Sequence, residues 1–121
     1  MGARWLVVVC LVVFAGVPRS WTQGAPDFAK AREEAVQRLQ ELIRIDTSNP
    51  PGNETKVAEY LKAILDKEGI ASEILALDPA RGNLVARIKG NGSKRPLLLM
   101  GHTDVVGVER DKWRVDPFAG L

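Results

Sequence analysis

The sequence is short of the residues that most often do chemistry. One cysteine, Cys10, and one histidine, His102, occur in 121 residues, and aromatic side chains make up only 6%. Cys10 lies inside an apolar N-terminal stretch, so residues 25–121 hold no thiol. That excludes an internal disulfide, a thiolate metal ligand and a cysteine nucleophile from this region. No charge of one sign dominates either. Seventeen Lys and Arg stand against 15 Asp and Glu, a formal net charge of +2. With no long basic run and no basic–aromatic interleaving, no nucleic-acid partner is expected. No internal repeat is visible, and the length allows one domain at most.

A membrane-length apolar run is missing too. Trp5–Val17 carries no charge, but a span needs roughly 18 or more apolar residues, whereas a signal-peptide core needs about 7–15. Arg4 ahead of this stretch and Pro18, Arg19 and Ser20 behind it complete the outline of a signal peptide over residues 1–24. Thr22 and Gly24 favour cleavage before Ala25, although they do not form a clean A-x-A site. A secreted or periplasmic protein is therefore expected, with no membrane span after cleavage; an uncleaved N-terminal anchor is the competing reading. Cys10 follows Val9 rather than a small residue, which argues against a lipoprotein box.

What is present reads as helices and then strands. Pro26-Asp27 opens a helix with Asp27 as N-cap. Val36, Leu39, Leu42 and Ile43 recur at helical spacing, opposite Glu33, Glu34, Arg38 and Glu41. The helix should fade near Ile45, because Asp46-Thr47-Ser48-Asn49-Pro50-Pro51-Gly52 is a breaker run. A second helix from about Glu54 carries Val57, Leu61, Ile64 and Leu65 on one stripe. It should stop at Gly69, with Ile70 folding back as the apolar partner.

Two strands are then expected, Ala71–Leu77 and Asn83–Lys89, the second placing Leu84, Ala86 and Ile88 on one face. After the turn Gly90–Lys94 comes a third strand, Leu97–Met100, apolar on both faces and so expected at the centre of a sheet. The expected class is α/β: two helices, then three strands of a larger mixed sheet. Val105–Leu121 has no clear period and reads as loop, with Glu109, Asp111 and Asp116 as solvated charges.

The chemically informative stretch is Leu97-Leu98-Leu99-Met100-Gly101-His102-Thr103-Asp104-Val105-Val106. An apolar segment of strand length stops at glycine, and a histidine follows, with an aspartate two residues on. In open α/β sheets ligands collect beyond the carboxyl ends of strands. There an imidazole can bind a metal through one nitrogen while a carboxylate fixes the ring through the other. His102 as an ordinary strand-end histidine and Asp104 as a turn residue are the plainer readings. One histidine cannot complete a catalytic zinc site, which usually needs three protein ligands.

Other matches carry less. Gly90-Asn91-Gly92-Ser93-Lys94 lacks the spacing of a phosphate loop, and no helix follows it. Ser48 and Ser93 have no nucleophile-elbow sequence around them. Asn53-Glu54-Thr55 and Asn91-Gly92-Ser93 are glycosylation sequons.

Taken together, several segments resemble the M20 family of metallopeptidases and amidohydrolases, which includes aminoacylase-like, acetylornithine and succinyl-diaminopimelate deacylases and glutamate carboxypeptidases. They are Leu42–Glu54, with the core Asp46-Thr47-Ser48-Asn49-Pro50-Pro51-Gly52, then Gly82-Asn83-Leu84-Val85-Ala86, then Gly101-His102-Thr103-Asp104-Val105-Val106, and finally Trp113 with Asp116-Pro117-Phe118-Ala119-Gly120.

The resemblance implies the N-terminal part of a zinc-peptidase-like catalytic domain over residues 25–121. It implies His102 as a zinc ligand and Asp104 as the catalytic aspartate beside it. It also implies two Zn²⁺ per complete site, with Co²⁺ or Mn²⁺ as substitutes, and a small peptide or N-acyl amino acid as substrate. The full-length enzyme would be a homodimer. The bridging aspartate, the general-base glutamate and the remaining ligands match nothing in this sequence, so the 121-residue chain alone is expected to be inactive. A non-catalytic secreted module that binds a peptide or partner on the same scaffold is the alternative.

Overall fold

The computed structural model describes residues 25–121; the expected signal segment, residues 1–24, lies outside the described residues. Helix α1, Phe28–Ile43, starts where expected, because the Asp27 carboxylate accepts from the backbone N–H groups of Ala29 and Lys30, each at 3.0 Å. Those are orphan donors of the first turn, and a side-chain oxygen satisfies them. Strand β1 is only Ser48–Asn49, within the run read as breakers. Helix α2, Glu54–Lys67, ends in a Schellman motif: Ile70 N–H bonds Leu65 O at 2.8 Å and Gly69 N–H bonds Asp66 O at 3.1 Å.

Strands β2, Ser72–Leu75, and β3, Asn83–Ala86, pair antiparallel with Ile74 opposite Leu84. Both are shorter than the stretches expected, and Ile88 lies beyond the pairing, exposed. Helix α2 packs on this pair, and Ile74 and Leu84 are half-buried. Val57 and Ala58 of α2 are the buried apolar side chains among the described residues. The last strand, β4, is Val105–Val106, and a short 3₁₀ turn follows at Arg110–Lys112.

The third expected strand is absent. Leu97–Met100 takes no regular structure, and its side chains are 79–89% exposed. A strand apolar on both faces needs partners at its edges and layers above and below. Among the described residues nothing supplies them. Pairing moves instead to β4, within the stretch Val105–Leu121 expected as loop, and β4 runs parallel to β1 with Ser48 opposite Val105 and Asn49 opposite Val106. In place of one mixed sheet, the described residues form two separate two-stranded sheets, one parallel and one antiparallel. The α/β character remains, although β1 falls between the two helices.

Helix α1 is also left largely uncovered. It has no buried residue, and Val36 and Leu39 of its apolar stripe are exposed. Its ties are polar: Tyr60 of α2 bonds Glu41, and Arg44 donates to the carbonyls of Ala119 at 3.2 Å and Gly120 at 3.4 Å.

An apolar patch of this kind favours association. The 121-residue chain should show concentration-dependent self-association by light scattering. Replacing Leu97 and Leu99 by glutamate should move its onset to higher concentration. A protease-resistant monomer at all concentrations would contradict this account.

Candidate active site

The site begins at Thr47. Its side chain is 3% exposed; its hydroxyl donates to Thr103 O at 2.6 Å, and its carbonyl accepts from Val105 N–H at 3.2 Å. Those two bonds, 56 residues apart in sequence for the first, start the β1–β4 ladder and lay Asn49 beside Asp104. The turn into β1 is held by Asp46, whose carboxylate accepts from Ser48 N–H at 2.9 Å.

His102 is exposed, and its Nδ1 stands 2.9 Å from Asp104 Oδ1 and 3.0 Å from Asp104 O. Both partners are acceptors, so Nδ1 carries the ring hydrogen and Nε2 of the neutral ring keeps its lone pair. Asp104 Oδ2 accepts from Asn49 Nδ2 at 3.2 Å. Asn49 Oδ1 accepts from Arg81 Nη1 at 3.1 Å, and Arg81 Nη2 donates to Glu54 Oε1 at 2.9 Å. Five side chains thus form one continuous polar chain from α2 to the histidine.

Local structure explains the far end of that chain. Glu54 occupies the first turn of α2, where unsatisfied N–H groups favour a carboxylate. Its side chain is 9% exposed. Gly52 makes room for it: a Cβ there would lie 2.7 Å from Glu54 Oε2, and φ is +84°. Thr55 then holds the loop that carries Arg81, accepting from Gly82 N–H at 2.8 Å and donating to Pro79 O at 2.6 Å. Gly82 is needed for that approach, since a Cβ would come within 2.8 Å of the Thr55 hydroxyl.

Hydrogen bonds from Asn49 first, and from His102 second, hold the Asp104 carboxyl below the usual carboxylate range. The histidine borders an open cleft of about 530 Å³, with Glu54, Arg81 and Asp104 on its polar side and Val57, Leu61 and Leu84 on its apolar side. It also touches an apolar cleft of about 630 Å³ between α1 and the 105–121 segment.

Of the residues singled out by sequence, the structure joins His102 to Asp104. It leaves Glu109, Asp111 and Asp116 exposed, with Glu109 paired to Lys112 and Asp116 to Arg110. Among the described residues no group of three or more His, Cys, Asp and Glu converges. The polar chain behind Asp104 was missed. Glu54 enters the sequence reading as a helix start and as the end of the Leu42–Glu54 segment, and nothing there points to Arg81, because no spacing rule connects residues 27 and 32 positions apart.

The Asp104 geometry has a measurable consequence. A carboxyl lowered in the folded state contributes stability above its unfolded pKa, and that contribution is lost as pH falls through the folded value. Carboxyl-detected NMR should find Asp104 titrating below an ordinary aspartate. Asn49→Ala should raise its midpoint towards the ordinary value; an unmoved midpoint would remove the amide as the cause.

A protein from Staphylococcus aureus named "Probable succinyl-diaminopimelate desuccinylase" is 43% identical over 90 residues, covering 73% of this chain and 21% of that protein. Its counterpart from Staphylococcus epidermidis is 37% identical over the same length. An N-formyl-4-amino-5-aminomethyl-2-methylpyrimidine deformylase from Halalkalibacterium halodurans is 34% identical over 93 residues, covering 74% of this chain and 22% of its own. The chain spans about a fifth of the length of the curated relatives it matches. No family model and no solved structure matches it. Identities of 34–43% to proteins named a desuccinylase and a deformylase, over about three quarters of the chain, support its resemblance to the M20 family of hydrolases.

Proposed function

We propose that this sequence serves a secreted or periplasmic, metal-dependent hydrolase that cleaves amide bonds in N-acyl amino acids or small peptides. The observation that carries the reading is the commitment of His102 Nδ1 to Asp104, which leaves Nε2 as a lone-pair donor at the edge of a cleft. A carboxylate on one ring nitrogen is how metal-binding histidines are commonly oriented. The relatives' names, a desuccinylase and a deformylase, favour small acylated substrates.

The residues present fit one part of a zinc centre. Imidazole nitrogen and carboxylate oxygen suit Zn²⁺, with Co²⁺ or Mn²⁺ as substitutes. His102 would hold the ion through Nε2, and Asp104 would keep the ring in the required tautomer while staying ionised. When bound, zinc supplies Lewis acidity towards the amide carbonyl and lowers the pKa of water. The cleft beside His102 would receive the acyl group, its apolar wall of Val57, Leu61 and Leu84 excluding water from one side. The other ligands of a two-zinc site and its general base lie outside residues 25–121 in this reading, so the chain alone is inactive and binds zinc weakly.

A chimera tests the reading. Exchanging the matched segment of the S. aureus relative for residues from this chain should retain hydrolysis of succinyl-diaminopimelate. His102→Ala in that chimera should abolish activity, and Asp104→Asn should lower it about 10- to 100-fold, as loss of a ligand's orienting partner does. A folded chimera whose activity survives His102→Ala would overturn the proposal. For the chain alone, zinc should shift the His102 Nε2 resonance without producing hydrolysis; full activity with added zinc or cobalt would contradict the incompleteness of the site.

A further inference from the structure

We infer that Arg81 is a positioning residue for His102, acting through Asn49 and Asp104. The inference rests on the reading of His102 as a metal-holding residue, since the choice of ring nitrogen then has a chemical purpose. An asparagine side chain can face either way, with oxygen or NH₂ towards a given neighbour. Arg81 removes that freedom. Its guanidinium offers only donors, so the Asn49 atom 3.1 Å from Nη1 is the oxygen. The NH₂ is thereby turned to Asp104 Oδ2, 3.2 Å away. The opposite orientation would set NH₂ against guanidinium and oxygen against carboxylate.

Arg81 is itself held. Nη2 bonds the buried Glu54 carboxylate at 2.9 Å, and the loop that carries it is tied to Thr55 on both sides. With Asp104 Oδ2 engaged by Asn49, Oδ1 is left to face His102 Nδ1 at 2.9 Å. A histidine free in water favours its hydrogen on Nε2, the nitrogen that a metal needs bare. The chain from Glu54 to Asp104 reverses that preference before any metal arrives.

His102 is the chain's one histidine, so ¹⁵N-histidine labelling reports this ring alone. In the metal-free chain, at a pH where the ring is neutral, the Nδ1–H form should predominate. Arg81→Lys keeps a counter-charge for Glu54 but loses the planar fork that reaches two partners. It should lower the ratio of Nδ1–H to Nε2–H about two- to fivefold, the size expected for one hydrogen bond. Asn49→Ala should lower it by a similar factor, and the double variant no further, because both act along one path. A purely structural role for Arg81 would not produce that non-additivity.

An unchanged ratio in Arg81→Lys, with the parental helical circular dichroism, overturns the inference. Should Arg81→Lys lose its helical signal, Asn49→Ala decides, because it leaves the Arg81–Glu54 pair in place; an unchanged ratio there overturns the inference too. The readout is taken without metal. Failure of the metal-hydrolase reading would appear separately, as added zinc that leaves Nε2 unshifted.

Discussion

The parallel contact that begins at Thr47 joins two parts of the chain far apart in sequence, which Arg44 also ties through Ala119 and Gly120. The Thr47 hydroxyl and carbonyl meet Thr103 and Val105, and the two-residue ladder that follows is the whole of that sheet. Short ladders are weak by themselves, and two strands are marginal in water. Here burial of Thr47, whose hydroxyl has a partner in Thr103 O, adds to the ladder. Everything the site does depends on this: Asn49 belongs to one strand, Asp104 and His102 to the approach of the other.

Behind that contact stands a charge held out of water. A buried carboxylate is costly unless a counter-charge and hydrogen bonds compensate it. Glu54 has Arg81 on Oε1 and lies in the first turn of a helix, while its buried Oε2 has no hydrogen-bond partner among the described residues. Such a pair contributes little net stability when compared with apolar packing. Its value lies in direction. A guanidinium bound at one end presents its remaining donors along fixed lines, and Asn49 lies on one of them. The ion pair between α2 and the Arg81 loop therefore reaches the imidazole through geometry, not through long-range charge.

A connected polar network and an uncovered apolar surface coexist among the described residues. The hydrogen-bonded network is complete from Glu54 Oε1 to His102, yet the stripe of α1 and the Leu97–Met100 segment remain exposed. The reason is local. Caps, turns and side-chain bonds need only near neighbours, while a central strand needs partners on two edges and cover on two faces. The site can thus be assembled in outline on a surface that is not fully packed.

Local chemistry was legible in the sequence. Asp27 as a cap, the Gly69–Ile70 stop, both helices and the strands β2 and β3 follow from spacing and residue type within a few turns of chain, although not their antiparallel pairing. His102 with Asp104 was legible for the same reason, since two residues apart is within reach of one side chain. Tertiary structure alone decided that Leu97–Met100 is not a strand, that Ser48–Asn49 and Val105–Val106 are, and that Glu54 and Arg81 stand behind the site. Those outcomes depend on which segments meet across tens of residues, and a hydrogen bond or ion pair at such separation leaves no period in the sequence that carries it.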